Sequence, residues 1–389
     1  MRIGFDMQAL QSVNSIGGIG NYNRNLLSHL FEQYPDNKYE LFFNSLHDSK
    51  KQPFVKSVNT RIHVVRYAAG NDLNPLNKWI QLAAYRSKPL DLLHVLSPFE
   101  PQTHTVISNK MSSKTVATIY DFIPYIFNDL YLTSPLSKKL YFDRLKSVKS
   151  ARLLLSISEA TRRDAIDLFR LSPDRIVNVG IAPSNDFQKT DSAMAGAIPD
   201  LKKRHGIEGA FVLTVSNLDH RKNLLTLLRT FSSLPNSFLK EFSLVVICNS
   251  NPEYVKRDSS VTEILSRKKA KIKFLYFIST DDLVALYNSC HLFVYASLYE
   301  GGGLPVMEAM KCGAPVVASN TSSIPEYVGR TDNLFDPRDQ EDIMHSIVRV
   351  LSDEGLRTEL GKYGEERSKS FSWDGVVKKT MQAYESAVS

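Results

Sequence analysis

Short apolar runs alternate with longer amphipathic segments along the chain, and this alternation restricts the fold more than any other feature. One series of runs is RIGFD, YELFF, RIHVV, LLHV, TVATI and LLLSI, and a later series is FVLTV, SLVVIC, IKFLYF, LFVYA and PVVAS. Continuous apolar runs are typical of strands that are buried on both faces of a parallel sheet, with helices as the crossover connections. The sequence therefore predicts an α/β protein with two doubly wound halves.

The two series are separated by APSNDFQKTDSAMAGAIPD, which is rich in Ser, Asp, Ala and Pro and is interpreted as a linker between domains. A chain of 389 residues is long enough for two domains. We predict Rossmann-like domains at residues 1–185 and 186–372, facing a central cleft. In such sheets ligands bind beyond the carboxyl ends of the strands, so functional residues are expected directly after the apolar runs.

Composition excludes several classes of protein. The hydrophobic fraction of 43% and the charged fraction of 23% are those of an ordinary globular protein. Since no apolar stretch approaches the ~20 residues of a membrane-spanning helix, a cytoplasmic protein is expected. Cys248, Cys290 and Cys312 lack metal-binding spacing and lie among apolar residues, which predicts buried, reduced thiols with neither a zinc site nor disulfides.

The net charge of +7 is a moderate excess that is spread along the chain, and one segment, SPLSKKLYFDRLKSVKSAR, is locally rich in basic residues. Leu136, Leu140, Leu145 and Val148 recur in this segment at roughly helical spacing. Two interpretations stay open: the helix rests on an anionic membrane surface, or its apolar stripe packs against the sheet of its own domain. A nucleic-acid-binding protein would need a denser basic surface with interleaved aromatic residues, so no nucleic-acid partner is expected.

Glycines flanked by two acids follow the run LFVYA, in the segment EGGGLPVMEAMKCGAPVV. Pro305 and Gly313 suit the first turn and the end of a helix, so the glycines before Leu304 lie at a helix amino terminus. Unpaired N–H groups and the positive end of the helix dipole attract a phosphate group there. Glu300 and Glu308 could meet polyhydroxyl groups beside it, which predicts a site for a phosphorylated sugar.

Two other segments carry candidate phosphate ligands. After the run FVLTV, the segment HRKN places Arg221 and Lys222 at the exposed mouth of a helix, where cations would stabilise a departing diphosphate. Near the start, Gly17, Gly18 and Gly20 in SIGGIGNYNRNLL either cradle phosphate or form a tight turn without a ligand. A dinucleotide-binding oxidoreductase is disfavoured, because ten residues separate RIGFD from these glycines and that fingerprint directly follows the first strand.

The two acids around G-L-P, followed by A-x-x-C-G-x-P-V-V, form a pattern that resembles the nucleotide-sugar glycosyltransferases of retaining family four, also called glycosyl transferases group 1. SIGGIGNYNRNLL, SISEATRRD, HRKN and SSIPEYVG look like landmarks of the same family in the same order. The resemblance implies the GT-B fold, with an acceptor-binding first domain and a donor-binding second domain. It also implies that residues 373–389 form a last helix that crosses back to the first domain.

The resemblance implies a role for each residue of the donor site. Glu308 would hold the ribose hydroxyl groups of the nucleoside, Gly303 and Leu304 would offer backbone N–H groups to the diphosphate, and Glu300 would contact the donor sugar. Lys222 would neutralise the leaving diphosphate.

The chain departs from the commoner family form in the basic segment. An arginine usually stands about five residues before the lysine, where this chain has Asn217, which is a candidate donor-binding residue. Whether Arg221 takes the place of that arginine stays open. No Asp-x-Asp triplet occurs, so the usual clamp for a diphosphate-bound metal is missing. Neither a metal nor a cofactor is therefore expected, and the nucleoside-diphosphate sugar is the donor substrate.

Candidates on the acceptor side are His94 and Asp121. Family members often have His-Asp where this chain has Tyr120 and Asp121, and Asp121 could still orient a hydroxyl group. His94 ends an apolar run, and both a structural and a catalytic role stay open for it.

The resemblance implies a retaining hexosyltransferase, with GDP-mannose favoured slightly over a UDP-hexose as the donor. The expected acceptor is a growing cell-surface polysaccharide or a lipid-linked glycan, and the expected location is cytoplasmic, with the inner face of the membrane as a peripheral alternative. Two alternatives stay open. One is a nucleotide-sugar-binding paralogue without catalytic activity, because Asn217 and Tyr120 depart from the commoner family form. The other is a phosphorylase.

Overall fold

The computed structural model describes residues 1–12, 15, 17–45, 59–66, 75–100, 107, 114–190, 198–267 and 269–389. The chain forms two compact units, which are Met1–Ile181 together with Ser372–Ser389, and Ala182–Phe371. The predicted linker lies partly outside the described residues. Its described part belongs to the second unit, where Phe187 packs into the core.

The first unit is built on a parallel sheet whose described strands number seven, in the order β3-β2-β1-β4-β5-β6-β7. The strands are β1 Arg2–Asp6, β2 Lys38–Asn44, β3 Thr60–Val65, β4 Leu92–Val95, β5 Lys114–Ile119, β6 Leu153–Ser156 and β7 Ile176–Asn178. The described helices are α1 Gly18–Gln33, α2 Pro75–Arg86, α3 Ile123–Ile126, α4 Asn128–Tyr131, α5 Pro135–Val148 and α6 Glu159–Phe169.

The second unit has its own parallel sheet, with six described strands in the order β10-β9-β8-β11-β12-β13. The strands are β8 Ala210–Val215, β9 Phe242–Cys248, β10 Ile272–Tyr276, β11 Leu292–Tyr295, β12 Val316–Ser319 and β13 Leu334–Phe335. The described helices are α7 Ile198–His205, α8 Leu224–Ser232, α9 Asn236–Glu241, α10 Pro252–Arg257, α11 Ser259–Ser266, α12 Thr280–Ser289, α13 Leu304–Lys311, α14 Ile324–Val328, α15 Gln340–Ser352 and α16 Glu354–Ser368.

The strand β9 shows why apolar runs form these sheets. Each of its residues is buried. Leu244 and Val246 belong to the apolar cluster on one face of the sheet, whereas Val245 and Ile247 belong to the cluster on the other face. Successive side chains of a strand point to opposite faces, so a sheet that is covered by helices on both faces needs an unbroken apolar run.

The last helix, α17 Trp373–Val388, belongs to the first unit although it follows the second unit in the chain. Trp373 packs edge-on against Tyr22 of α1, with ring centroids 5.3 Å apart. Further along the helix, the Tyr384 hydroxyl lies 2.6 Å from Nδ1 of His94 in β4. The helix therefore completes the core of the first unit.

The basic helix α5 follows the predicted apolar stripe only in its second half. Leu145 and Val148 are buried, together with Tyr141, which the stripe did not include. The interpretation that packs the stripe against the sheet therefore fails at Leu136, which is 60% exposed. Pro135 and the capping residue Ser134 fix the start of the helix at this end.

Within the described ranges, no helix combines the length and the apolar character that crossing a membrane requires.

Candidate functional site

The candidate site lies at the carboxyl ends of β8 and β11, which are neighbours at the centre of the second sheet. On one side of β8 the strands β9 and β10 follow in chain order toward the edge of the sheet, and on the other side β12 and β13 follow β11 in the same way. Loops that follow two such strands diverge to opposite faces of the sheet, and doubly wound proteins bind ligands in the crevice between them. Arg221 and Lys222 follow β8, and Glu300 follows β11.

The loop after β8 is shaped by two side chains that bond to its own backbone. Asn217 Oδ1 accepts a hydrogen bond from the Asp219 amide at 3.0 Å, and Asp219 Oδ1 accepts one from the Arg221 amide at 3.1 Å. A single 3-10 turn, His220–Lys222, follows. Asn217 therefore contributes to the turn that presents the two cations, and its predicted contact with the donor stays a prediction.

Asn223 connects this loop to the ends of other strands by hydrogen bonds. Its backbone is left-handed, with φ of 56°, a conformation that asparagine tolerates better than most residues. Its side-chain amide donates to the carbonyl oxygens of Ala296, at 3.1 Å, and Pro337, at 2.7 Å. The loop after β8 is thus tied directly to the end of β11.

Glu300 is the centre of a buried ionic cluster. Its Oε2 lies 2.8 Å from Nη1 of Arg221, and its Oε1 lies 2.7 Å from Nζ of Lys222. Ser297 and Tyr295 donate hydroxyl hydrogen bonds to Oε1, at 2.7 and 3.0 Å. The structure therefore brings together three of the predicted site residues that lie far apart in the sequence.

The three charged side chains of this cluster are shielded from water. The side chains of Lys222, Arg221 and Glu300 are 15%, 20% and 9% exposed, so the expected exposed position of the cations was wrong. Burial alone would raise the pKa of Glu300, but Lys222, Arg221 and the hydrogen-bond donors outweigh it and lower that pKa to about 2. Burial lowers the pKa of Lys222, and the ion pair with Glu300 opposes that shift.

Two consecutive serines hold the backbone of Glu300. The Ser322 hydroxyl accepts a hydrogen bond from the Glu300 amide at 2.8 Å, and the Ser323 hydroxyl donates one to the Glu300 carbonyl at 2.9 Å. Ser322 has a positive φ of 50°, which is uncommon for this residue type. The sequence identified SSIPEYVG as a landmark without assigning these contacts.

Helix α13 begins directly beyond the ionic cluster. Its capping residue, Gly303, has φ of +57°, and a Cβ atom there would lie 2.5 Å from Cδ1 of Ile324. The left-handed conformation favours glycine, and the Ile324 side chain would have to shift to admit a Cβ atom. Leu304 is the first helical residue, so its amide is among those that have no partner within a helix. This placement agrees with the predicted helix amino terminus.

Glu308 lies one turn into α13 and is partly buried. Its Oε2 accepts a hydrogen bond from the hydroxyl of Tyr287, on α12, at 3.1 Å. Burial raises the pKa of Glu308 to about 7, although the Tyr287 hydrogen bond and the charge of Lys222 oppose this shift. The two acids thus differ in charge state: Glu300 is ionised throughout the physiological range, whereas Glu308 titrates within it.

The first unit presents its predicted glycines at the start of α1. Gly17 caps the helix, and Gly18 is exposed. At Gly20 a Cβ atom would lie 1.8 Å from the carbonyl oxygen of Ser15, so only glycine allows the backbone to approach so closely. Arg24 donates to the same carbonyl at 2.7 Å. This packing explains Gly20 without a ligand, and the phosphate role of the loop stays a prediction.

His94 lies in a fully buried position in β4. Its Nδ1 contacts the Tyr384 hydroxyl at 2.6 Å, and its Nε2 contacts the Thr118 hydroxyl at 2.8 Å. Burial lowers the pKa of His94 to about 3, so the ring is neutral. These contacts favour the structural alternative for His94, because both ring nitrogens bond to protein groups inside the core.

Asp121 is partly buried at the end of β5, where its Oδ1 accepts a hydrogen bond from the Ile123 amide at 2.9 Å. The preceding Tyr120 is buried, and its hydroxyl donates to Asn23 Oδ1 at 2.7 Å. Tyr120 thus links the end of β5 to α1 and turns its polar group inward. Asp121 thus bonds to the first residue of the short helix α3, and its predicted contact with an acceptor is not tested by these bonds.

Sequence reasoning missed several buried polar groups in the two units. Tyr295 and Tyr287 each bond to one acid of the candidate site. In the first unit, Glu100 follows β4 and is buried, and it accepts hydroxyl hydrogen bonds from Ser12 at 2.8 Å and Ser97 at 3.0 Å. The available signal for Glu100 was an acid in the loop that follows the apolar run LLHV. The tyrosines gave none, because they stand within apolar segments.

In the part of the chain that the structure describes, no three His, Cys, Asp or Glu side chains are grouped so that they could hold a metal ion.

Comparison with known proteins identifies relatives of both the sequence and the fold. Residues 198–367 match the family described as glycosyl transferases group 1. The serotype-specific mannosyltransferase WbdA of Escherichia coli is 32% identical over 287 residues, which are 73% of this chain and 35% of that protein. The O-antigen chain mannosyltransferase B of Escherichia coli is 33% identical over 241 residues, which are 61% of this chain and 62% of that protein.

The chain thus spans about a third of WbdA and less than two thirds of the second relative.

Solved structures resemble the whole chain at lower identity. Sucrose-phosphate synthase (tll1590) from Thermosynechococcus elongatus has a TM-score of 0.74 at 20% identity, and the match covers 99% of this chain and 98% of that one. Anabaena Alr3699/HepE, solved with UDP and glucose, has a TM-score of 0.72 at 17% identity, with coverage of 99% and 100%. These likenesses confirm the predicted fold class with two Rossmann-like domains.

Proposed function

The chain belongs to the glycosyl transferases group 1 family through residues 198–367, and we propose that it transfers a hexose from a nucleoside-diphosphate sugar to a hydroxyl group of a glycan. GDP-mannose is the favoured donor, because the two relatives above are mannosyltransferases. A UDP-hexose is the second candidate. The proposed acceptor is a growing cell-surface polysaccharide or a lipid-linked glycan.

The observation that carries this proposal is the cluster of Glu300, Arg221 and Lys222 beside the amino terminus of α13. It offers two cations and the positive end of a helix dipole to an anion. It also offers a carboxylate, whose acceptor oxygens suit sugar hydroxyl groups. A diphosphate joined to a sugar combines these two kinds of group.

Donor binding follows from this arrangement. The diphosphate contacts Arg221, Lys222 and the first amides of α13, while Glu308 accepts hydrogen bonds from the ribose hydroxyl groups. As the bond to the sugar breaks, negative charge grows on the departing diphosphate. Cations that are held in place before the reaction, in a site with little water, stabilise that charge without reorganisation.

The proposed stereochemical course is retention, in which the acceptor attacks from the face that the diphosphate leaves. The sugar then passes through an oxocarbenium-like state, and a diphosphate oxygen takes the proton of the acceptor hydroxyl. Comparing the anomeric configuration of product and donor by NMR tests this course, and inversion would contradict it.

Thermal unfolding with a panel of GDP-, UDP-, ADP- and dTDP-sugars tests the proposed function. A donor at 100 times its dissociation constant adds about 2.7 kcal/mol to the free energy of unfolding. We expect a selective rise in melting temperature, strongest with GDP-mannose, followed by turnover when a glycan acceptor is added. Stabilisation without turnover of any acceptor would favour the binding paralogue, and turnover that requires orthophosphate would favour a phosphorylase. No response to any nucleotide sugar would contradict the proposal.

Transfer is expected to continue in excess EDTA. Arg221, Lys222 and the amino terminus of α13 would supply the positive charge that a divalent metal provides in metal-dependent glycosyltransferases. Initial rates with EDTA and with added Mg²⁺ or Mn²⁺ check this expectation. A complete loss of rate that Mg²⁺ restores would contradict it.

Donor affinity is expected to fall about tenfold between pH 8 and pH 6. The pKa of Glu308 is raised to about 7, so the ionised carboxylate, which accepts hydrogen bonds from the ribose, is the minor form below that pH. The apparent affinity for the donor is proportional to the ionised fraction of Glu308. A nucleotide sugar is the suitable probe, since it lacks the terminal phosphate that titrates near pH 6 in free nucleotides. The control is calorimetry of the Glu308→Gln variant. Its affinity for the nucleotide sugar should be weaker than that of the wild type and nearly constant with pH.

We also propose peripheral contact with the inner face of an anionic membrane through α5. Leu136 and Phe142 are exposed on this helix, together with Lys138, Lys139 and Lys146, which is the combination that binds anionic lipid surfaces. Sedimentation with vesicles that contain phosphatidylglycerol is expected, and it should weaken in the Lys138→Glu, Lys139→Glu double variant. Equal sedimentation with purely zwitterionic vesicles would contradict the proposal.

A further inference from the structure

An aromatic row lies against the donor site and carries a hydroxyl group at each end. Tyr287 packs edge-on against Phe293, with centroids 5.3 Å apart and planes at 74°. Phe293 stacks on Tyr295, which follows it on the same face of β11, at 6.0 Å and 20°. All three residues are at most 1% exposed. Close packing restricts these rings, so the positions of the two hydroxyl groups are fixed as well.

The hydroxyl of Tyr295 connects the two charged groups of the ionic cluster. It accepts a hydrogen bond from Lys222 Nζ at 2.7 Å and donates one to Glu300 Oε1 at 3.0 Å. The Lys222 ammonium lies 5.2 Å from the centre of the tyrosine ring, beyond the hydroxyl group and near the ring plane. A phenylalanine would preserve the ring in this apolar strand, but it would lose both hydrogen bonds.

This geometry leaves Lys222 able to bind an anion without first breaking its contacts. An ammonium group has three N–H donors. Among the described residues, the hydrogen-bonding partners of Nζ are Glu300 and the Tyr295 hydroxyl. A third N–H therefore remains for a phosphate oxygen, in a direction that the other two bonds set.

At the other end of the row, the Tyr287 hydroxyl donates to Oε2 of Glu308 at 3.1 Å. This bond orients the carboxylate on α13 from a residue on α12. The two tyrosines thus reach different acids of one site: Tyr295 contacts the acid of the ionic cluster, and Tyr287 contacts the acid with the raised pKa.

We propose that Tyr295 and Tyr287 are positioning residues for different parts of the donor. Tyr295 fixes Lys222 and Glu300 for the diphosphate and the sugar, and Tyr287 fixes Glu308 for the ribose. This assignment rests on the proposed function, because it presumes that a nucleoside diphosphate occupies the site.

Binding of GDP and of guanosine to single variants tests the assignment without an acceptor or a known sugar. In Tyr295→Phe we expect GDP affinity to fall about tenfold, the effect of one hydrogen bond to a charged group, while guanosine affinity is unchanged. In Tyr287→Phe we expect both affinities to fall by the same factor, because both ligands contain the ribose. Calorimetry and competition experiments at pH 8 measure these affinities. If the wild type prefers uracil, UDP and uridine replace GDP and guanosine.

Tyr39→Phe is the matched control. Tyr39 is a buried tyrosine of the first unit whose hydroxyl donates to the carbonyl of Tyr34 at 2.7 Å. Its loss should change stability without changing either affinity. A purely structural role for Tyr295 would instead give a parallel loss of GDP and guanosine binding together with a lower melting temperature, and that result would overturn the proposal.

The Lys222→Ala variant separates failure of this inference from failure of the proposed function. If Lys222→Ala weakens GDP binding but Tyr295→Phe does not, the positioning role is wrong and the donor site stands. If the wild type binds no nucleoside diphosphate, or Lys222→Ala binds GDP as well as the wild type does, the proposed site fails and the positioning role fails with it.

Discussion

Replacing Lys222 with alanine is expected to lower kcat about 100- to 1000-fold, the typical effect of removing one group that stabilises developing negative charge. The ammonium lies 2.7 Å from Glu300 in a shielded site, and its contribution should grow as the diphosphate departs. KM for the donor should therefore change less than kcat, since charge on the diphosphate is greater in the transition state than in the bound donor. Steady-state kinetics with saturating acceptor measure both constants.

The fold of this variant should survive, because Glu300 keeps Arg221, Ser297 and Tyr295 as partners. Lys256→Ala is the matched control: Lys256 is exposed on α10 and pairs with Glu253 at 3.0 Å, so its removal should leave kcat unchanged. Lys222→Arg should recover part of the rate, although guanidinium and ammonium groups differ in geometry. Near-normal turnover by Lys222→Ala would remove this residue from the mechanism.

The Glu300→Gln variant is expected to lose activity and also about 3 kcal/mol of stability. The substitution leaves two shielded cations without their counter-charge, and breaking a buried pair typically costs about 3–5 kcal/mol. The lowering of the Glu300 pKa from 4.5 to about 2 indicates a loss of stability of similar magnitude, because one pKa unit corresponds to about 1.4 kcal/mol. Deprotonation of Lys222, which burial favours, would relieve part of this cost.

The stability difference between wild type and Glu300→Gln should depend on pH in a defined direction. Because the folded-state pKa of Glu300 is depressed, its contribution is complete above the unfolded value of 4.5 and is lost as pH falls toward 2. Melting curves at pH 7, 5 and 3 should therefore converge at the acidic end. A difference in melting temperature that is constant across this range would contradict the ionised, paired state of Glu300.

Most of the fold could be predicted from the sequence, because a buried parallel strand needs an unbroken apolar run. The run RIGFD is strand β1 Arg2–Asp6, and LFVYA contains β11 Leu292–Tyr295. The strands β7 Ile176–Asn178 and β13 Leu334–Phe335 were not predicted. Both lie at an edge of their sheet and are too short to give a periodic signal.

The candidate site could be predicted in part, since Glu300, Lys222 and Arg221 belong to recognisable segments. What could not be predicted is that they form one shielded cluster, because Arg221 and Glu300 are 79 positions apart and meet only through the pairing of β8 and β11. The hydrogen-bond partners of His94 could not be predicted either, because one of them is also distant in the sequence. Its partner Tyr384 lies 290 positions away, on the last helix.

Helix α17 sets the order in which the two units can be completed during synthesis. The second unit is one continuous stretch of chain, Ala182–Phe371, so all of its residues are available before Trp373–Val388 is made. The first unit begins at Met1 but needs Tyr384 to satisfy His94. A growing chain therefore carries an unfinished first unit through the whole time in which the second is synthesised, and the half that is begun first is finished last.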